Sequence, residues 1–287
     1  LLIAYLFGLG AGVHLQALLT VPGILILVFL DLMEDQPRHK QIAATVGLIV
    51  YPFITIFMPS WVSAILTLGI FIALMRLRPE WKNPMLWGAC VLLFGLGFST
   101  YIALFLRSGL NPIIDMNNPE SWDNFKSFLG RQQYGTHFSW PRRSDFWNYQ
   151  INIHIKYFLQ QFPFYNDGFL GWDSVFRRAV PTGLEDTEVQ RYSLITLAFG
   201  IGGAYYHWKS DWKRFASVFS MFALMGIGLV LYLNMPDPEP REREYIFVGA
   251  YTFFGCWMGI GAAGLIVPAA RASTATVVGP VVAAACL

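Results

Sequence analysis

LLIAYLFGLGAGVHLQALLTVPGILILVFL, residues 1–30, decides the fold class because it contains no charged side chain. A soluble core cannot bury so long a continuous apolar run, whereas a helix that spans a membrane needs about 20 such residues. The stretch therefore predicts either one long tilted helix or two pieces broken near Gly8, Gly10 and Gly12.

The composition of the whole chain also indicates a membrane protein. Of its 287 residues 55% are hydrophobic and only 13% are charged, against about a quarter in soluble domains. The mean hydropathy is +0.46. A soluble enzyme, a nucleic-acid-binding protein and a disulfide scaffold are therefore excluded, and the net charge of +2 is too small to indicate a polyanionic partner. Cys90, Cys256 and Cys286 all lie in apolar runs, which suits small packing residues.

Further apolar runs predict more membrane spans. They lie at residues 42–57, 61–75, 84–106, 192–208, 215–233 and 245–267, and the segment after Pro268 is an optional eighth span. We therefore predict an all-α membrane protein with a bundle of seven or eight transmembrane helices. Its parts are the first helices at 1–106, a long outer loop at 107–191 and the last helices at 192–287. Because the chain starts without methionine and stops inside an apolar run, we expect a piece of a larger membrane protein.

The basic residues of the short connections predict which side each one faces. Nine Lys and Arg residues lie in the segments 31–41, 76–83, 209–214 and 268–287, whereas residues 58–60 have none and 234–244 have two. Short cytoplasmic loops are enriched in such residues. The first group is thus predicted to be cytoplasmic, and the loop at 107–191 faces outward. The spans contain few ionisable groups, which argues against an ion-coupled transporter.

The outer loop is predicted to contain amphipathic helices. Asn118 and Pro119 have the residue types that open a helix, and apolar residues recur at helical spacing through residue 129. We expect Trp122, Phe125 and Phe128 to face protein or lipid. A second helix is predicted from Ser144, with Trp147, Ile151, Ile155, Phe158 and Phe162 on one face. The alternation at residues 151–155 is also typical of a strand.

Several motifs occur in a fixed order along the chain. They are GLGAGVHL at 8–15, NNPE at 117–120 with RQQYG at 131–135, WPRR at 140–143 with FWNYQ at 146–150, and REREY at 241–245. Together they resemble a bacterial membrane family, once catalogued as a domain of unknown function, that is grouped with GT-C glycosyltransferases beside the protein O-mannosyltransferases. The resemblance extends from residue 1 to about residue 266.

The resemblance implies a GT-C-like enzyme of the bacterial inner membrane whose long loop faces the periplasm. Such enzymes move a sugar from a polyprenyl-phosphate carrier to a protein or glycan at the outer face. Their usual catalytic Asp or Glu has no matching position here and is expected upstream of Leu1. The alternative is a non-catalytic scaffold subunit of a larger membrane complex. The expected partners are membrane lipids, the lipid-linked sugar and other subunits of such a complex, without nucleic acid.

Three basic residues are candidates for binding the donor phosphate. Arg241 and Arg243 stand just before the span at 245–267, and the planar fork of arginine matches phosphate oxygens. The alternative is that Arg-Glu-Arg-Glu forms a self-paired collar at the interface. By the resemblance, His14 takes the place of a basic residue that contacts the carrier phosphate or the sugar. Its alternative role is helix packing, with a bond to a nearby carbonyl. Gly8 and Gly12 have the spacing of closely packed helices.

Polar residues of the outer loop are candidates for an acceptor or loop site. They are Asp115, Glu120, Arg131, Tyr134, Arg142 and Arg143. Asp115 and Glu120 could act as acceptor-side acids or a metal pair, and the alternative is helix capping and surface solvation. No His, Cys and Asp cluster has the spacing of a metal site. We therefore expect no divalent metal, and no cofactor besides the polyprenyl-phosphate sugar as donor substrate.

Overall fold

The computed structural model describes residues 1–58, 60–77, 83–115, 117–130, 140–162, 171–173, 191–237 and 243–271. Most of these residues are helical, so the predicted all-α class is confirmed. The strands in this part of the chain are one short antiparallel pair, Gly171–Asp173 (β1) and Arg191–Ser193 (β2). The chain forms two compact units, Leu1–Ser139 and Trp140–Leu287, which divide inside the predicted outer loop.

The described part of the first unit consists of consecutive helices. They are α1 (Leu2–Val13), a 3₁₀-helix (Leu15–Thr20), α2 (Val21–Leu32), α3 (Arg38–Thr55), α4 (Ser60–Leu77), α5 (Pro84–Phe98), α6 (Thr100–Ser108) and α7 (Trp122–Leu129). Residues 1–30 thus adopt the broken form of the two predicted alternatives. The break lies at His14, two residues after Gly12, where the backbone is extended (φ −154°, ψ 122°).

Glycines allow α1 to lie directly against α5. A Cβ atom on Gly8 would overlap the carbonyl oxygen of Phe94, and one on Gly97 would lie 2.5 Å from the carbonyl oxygen of Tyr5. Gly12 leaves the same kind of space for the hydroxyl of Thr100. Small residues at such spacing let helix backbones approach closely. The close packing predicted for Gly8 and Gly12 is therefore confirmed.

The described part of the second unit is also built from helices. They are a π-helical turn (Phe146–Ile151), α8 (Asn152–Gln160), α9 (Leu194–Ser210), α10 (Trp212–Ala223), a π-helical turn (Leu224–Gly228), α11 (Leu229–Leu233), a 3₁₀-turn (Glu244–Phe247) and α12 (Val248–Arg271). Helices α9 and α12 approach closely where a Cβ on Gly203 would overlap the carbonyl of Trp257. Buried side chains of the 3₁₀-turn and of α12, namely Phe247, Phe254 and Trp257, form much of the core.

Two described helices are long and apolar enough to cross a membrane. They are Trp212–Leu233 and Glu244–Gly264. The pair Pro84–Phe98 and Thr100–Ser108 makes a third if its 40° bend lies within one span. At that bend the hydroxyl of Ser99 donates to the carbonyl of Leu96 at 2.6 Å, a backbone contact that often accompanies helix bending. Membrane association follows from these helices, whereas the bundle of seven or eight spans stays a prediction.

The first loop helix, α7, begins later than the sequence predicts. Asn118 has a left-handed backbone (φ 43°) and so cannot take the extended conformation of an N-cap. Instead Ser121 is extended, and its hydroxyl accepts a bond from the amide of Asn124 at 3.2 Å. Phe125 is buried, with its ring 5.4 Å from that of Phe105. The helix and the buried position of Phe125 are confirmed, whereas Trp122 is 64% exposed and the predicted start at Asn118 and Pro119 is wrong.

The second loop helix is also confirmed, and the strand alternative for residues 151–155 is wrong. Asp145 caps it by accepting a bond from the amide of Asn148 at 2.7 Å. Its buried residues include Tyr149, Ile153 and Tyr157, whereas Trp147, predicted on the apolar face, is 71% exposed. The π-helical turn is wider than an α-helical turn and shifts the angular positions of the residues that follow. A strictly α-helical spacing therefore misplaces Trp147, whereas Phe158 and Phe162 lie on the packed side, with ring centroids 4.9 and 5.5 Å from that of Phe254.

Candidate functional site

Arg243 lies where the second unit's spanning helix Glu244–Gly264 begins. It is half-buried, and its carbonyl accepts a bond from the amide of Ile246 at 3.0 Å as the first helical turn forms. The N-terminal end of a helix favours anions because its first amide groups have no helical partner. This is the boundary position predicted for a phosphate-binding arginine. Arg241, the second predicted donor-site arginine, lies outside the described residues.

The next residue, Glu244, is held by a side chain of the loop. Gln161 donates from Nε2 to Oε1 of Glu244 at 2.5 Å. Glu244 also interacts electrostatically with Tyr251, which lies two turns further along the same helix. The carboxylate is therefore directed toward the protein. The collar alternative predicted that Glu244 pairs with a neighbouring arginine, whereas the bond shown here joins it to Gln161.

Two polar side chains close to the first turns of this helix each keep a buried atom without a hydrogen-bond partner in the described part of the chain. They are Tyr251, through its hydroxyl, and His154, through Nδ1. The ring of His154 lies 4.5 Å from that of Phe247, and burial lowers the pKa of His154 to about 4. His154 is therefore neutral at pH 7. Buried polar atoms that lack a partner are uncommon and call for an explanation, such as a ligand or a water molecule.

We call these neighbouring side chains the polar cluster. Its members are His154, Tyr157, Gln161, Glu244 and Tyr251. Aromatic rings surround it: Phe158 lies 6.0 Å from Tyr251 and 4.9 Å from Phe254, measured between ring centroids. The cluster thus offers a carboxylate, an amide and phenol hydroxyls next to apolar ring faces, beside Arg243.

Arg142 attaches residues 140–150 of the outer loop to the C-terminal end of α11. Its guanidinium donates to the carbonyls of Leu231 at 2.7 Å and Val230 at 3.0 Å, and also to Gln150. Burial lowers the pKa of Arg142. A cation placed on the last carbonyls of a helix is favoured by the helix dipole. These contacts give Arg142 a role in attaching the loop.

Asn234 completes the attachment from the helix side. It ends α11 in the left-handed conformation (φ 45°), which asparagine adopts more readily than most residues. Its Oδ1 accepts from the amide of Arg143 at 2.8 Å and from Nε2 of Gln150 at 3.2 Å, and its Nδ2 donates to the carbonyl of Pro141 at 3.0 Å. Residues 140–150 therefore lie against Asn234 and Met235, where the connection after α11 begins, as expected if both lie on one side. The side chain of Arg143 is exposed.

Sequence reasoning missed Gln150, Gln161 and Asn234. An asparagine that follows an apolar helical run is a recognised helix-end signal, so Asn234 could have been predicted as a cap. No local signal identifies Gln150 or Gln161, because their partners lie 84 and 83 residues away in sequence.

The acidic candidates of the first unit are linked through one serine and one asparagine. Ser108 donates to Asp115 at 2.7 Å and to Oδ1 of Asn118 at 3.3 Å, and Nδ2 of Asn118 donates to Glu120 at 3.3 Å. No group of three or more His, Cys, Asp or Glu residues that could hold a metal occurs among the described residues. Arg131 and Tyr134 lie outside those residues.

His14 also belongs to the first unit, where it caps a helix. Its Nδ1 accepts a bond from the amide of Gln16 at 3.2 Å, and its side chain is exposed. The predicted packing role assumed a bond to a carbonyl, but this nitrogen accepts from an amide instead. The capping bond leaves Nε2 as the ring atom available for another contact.

Comparison with protein-family models, with curated proteins and with solved structures finds no match to this chain. Its function must therefore be inferred from its own residues. The polar cluster with the adjacent Arg243 offers the chemistry best suited to a ligand. It combines hydrogen-bonding groups for hydroxyls with a cation for a phosphate, at the end of an apolar helix.

Proposed function

We propose that this protein is part of an integral-membrane glycosyltransferase of the GT-C type. It moves a sugar from a polyprenyl-phosphate donor to a protein or glycan acceptor at the outer face of a bacterial inner membrane. The proposal includes a bundle of seven or eight spans and a periplasmic loop at residues 107–191. The observation that supports it best is the polar cluster beside Arg243, at the end of the spanning helix Glu244–Gly264.

The chemistry of the donor explains why this position is suitable. A polyprenyl-phosphate sugar brings its phosphate to the membrane surface while its lipid tail stays in the bilayer. Arg243, together with Arg241, would bind the phosphate oxygens and stabilise the negative charge that develops as the phosphate leaves. Glu244 and Gln161 would bind hydroxyl groups of the sugar. These roles need no metal.

A non-catalytic scaffold subunit is the second candidate. The Arg142 attachment favours it, because the buried polar groups Arg142, Gln150 and Asn234 bond to one another and to nearby backbone groups. Such a network stabilises a structure without binding a substrate. The two candidates differ in whether the chain binds a lipid-linked sugar.

Donor binding separates these candidates. We would reconstitute the chain in lipid nanodiscs and measure binding of a polyprenyl-phosphate sugar to wild type, Arg243→Lys and Arg243→Ala. The alanine variant should bind at least tenfold more weakly, and the lysine variant should fall between, because lysine keeps the charge but loses the planar fork. Arg214→Ala is the matched control, since Arg214 is an exposed arginine paired with Asp211. Absence of donor binding to wild type would reject the proposal in favour of the scaffold, and equal affinity of wild type and Arg243→Ala would reject the role of Arg243 in binding the phosphate.

The role of Glu244 requires a different ligand comparison. Polyprenyl phosphate without a sugar has the same phosphate but no sugar hydroxyls. Glu244→Gln should therefore weaken binding of the sugar-bearing donor and leave binding of polyprenyl phosphate unchanged, whereas Arg243→Ala should weaken both. Equal loss of both ligands in Glu244→Gln would show that Glu244 acts on the fold or the phosphate and not on the sugar.

A further inference from the structure

The connection after α6 places its aliphatic side chains outward. Leu110, Ile113 and Ile114 are 81%, 106% and 86% exposed, respectively. Single exposed apolar residues are common on proteins, but three large aliphatic side chains within five positions form a patch. A patch of this kind needs an apolar environment to cover it.

A hydrogen bond between Ser108, at the end of α6, and Asp115 closes the same connection. Ser108 is buried and donates to Asp115 at 2.7 Å, while the amide of Asn111 donates to the carbonyl of Ser108 at 2.9 Å. Asn111 and Asn117 have left-handed backbones, with φ of 49° and 65°, which allow the chain to turn tightly. Asn111, Asn117, Asn118 and Glu120 are also exposed, so the connection presents polar and aliphatic side chains side by side, as is typical where lipid meets water.

The position of the patch indicates what covers it. It begins two residues after the end of the bent helix pair that finishes at Ser108, which has the length and apolar character of a span. In the same unit Trp122 is 64% exposed, and the ammonium of Lys126 lies 5.9 Å from its ring centroid. Tryptophan and lysine together are typical of the boundary between lipid and water.

We propose that Leu110, Ile113 and Ile114 insert into the lipid at the membrane surface and anchor this connection there. The Ser108–Asp115 bond holds the loop in the shape that presents them. The partner is the lipid hydrocarbon just beneath the headgroups, which the three side chains reach because they follow directly after α6. This anchoring does not depend on sugar transfer.

Spin labelling measures the surroundings of these side chains directly. Cys90, Cys256 and Cys286 would first be replaced by alanine, and Ile113→Cys would then be labelled with a nitroxide in lipid nanodiscs. Oxygen concentrates in lipid, whereas a nickel chelate stays in water, so their relative collision rates with the nitroxide report depth. Asp123→Cys is the control, because the side chain of Asp123 is 90% exposed on α7.

We expect the ratio of oxygen to nickel-chelate accessibility to be at least several-fold higher at Ile113 than at Asp123. Equal ratios would place Ile113 in water and overturn the proposal. Shielding from both reagents would mean that a protein partner or a second copy covers the patch, and would overturn it as well. Labels at Leu110 and Ile114 repeat the measurement independently, in case the label at Ile113 disturbs the loop.

Discussion

Arg142 is the side chain on which the attachment of residues 140–150 depends most directly. Arg142→Ala removes the guanidinium that donates to the carbonyls of Val230 and Leu231 and to Gln150. These acceptors then lose a hydrogen-bond donor inside the protein. We expect a loss of about 2–4 kcal/mol in stability, seen as a lower melting temperature in detergent. Arg143→Ala is the matched control, because this neighbouring side chain is exposed and the amide that bonds Asn234 remains. Equal melting temperatures for both variants would contradict the attachment role.

His154 gives the second unit a pH-dependent stability. Its folded pKa of about 4 lies below its ordinary value of 6.5, because burial disfavours the charged imidazole. Between pH 6.5 and pH 4 the imidazole binds a proton in the unfolded chain but not in the folded chain. The free energy of unfolding is therefore highest above pH 6.5 and decreases toward pH 4. The loss should reach about 3 kcal/mol. The neutral variant His154→Gln should lose this part of the pH dependence. If the melting temperatures of both proteins decrease equally between pH 6.5 and pH 4, His154 is not the group responsible.

The sequence predicts the position of a residue where that position depends on the composition or spacing of its neighbours in the chain. Arg243 stands at a span boundary because apolar composition defines where a span begins, and Phe125 is buried because helical spacing defines a face. The pairs Gln150–Asn234 and Gln161–Glu244 leave no such trace, since each joins segments more than 80 residues apart. The polar cluster is therefore visible only in the folded chain.

At the scale of helices, adjacent glycines in α9 provide a matched test of close packing. A Cβ on Gly203 would overlap the backbone of Trp257, whereas a Cβ on Gly202 would meet nothing within 4 Å. Gly203→Ala should force α9 and α12 apart and cost at least about 1–3 kcal/mol. Gly202→Ala should be neutral or stabilising by up to about 1 kcal/mol, because alanine is the better helix former. If Gly203→Ala melts no lower than Gly202→Ala in detergent, close contact at Gly203 does not support the pair.

The helices themselves are predicted more reliably than their ends. Each predicted apolar run contains a described helix, because its composition favours a helix in an apolar environment. The ends depend on single residues: Ser121 opens α7 because its backbone is extended, and His14 ends α1 for the same reason. The π-helical turns at Phe146–Ile151 and Leu224–Gly228 also have no simple sequence pattern.

For the whole molecule, the sidedness of the chain remains the prediction with the widest consequences. Nine basic residues in four short segments argue that those segments are cytoplasmic. In a cysteine-free background, a membrane-impermeant maleimide added to intact cells with a permeable outer envelope should label Asp123→Cys and Asp237→Cys. It should label Asp35→Cys and Lys209→Cys only after the inner membrane is opened. All four side chains are exposed, so differences in labelling report the side of the membrane rather than burial. Labelling of Lys209→Cys in intact cells, or protection of Asp237→Cys, would reverse the predicted orientation. The polar cluster and Arg243 would then face the cytoplasm, where the proposed outer-face transfer could not take place.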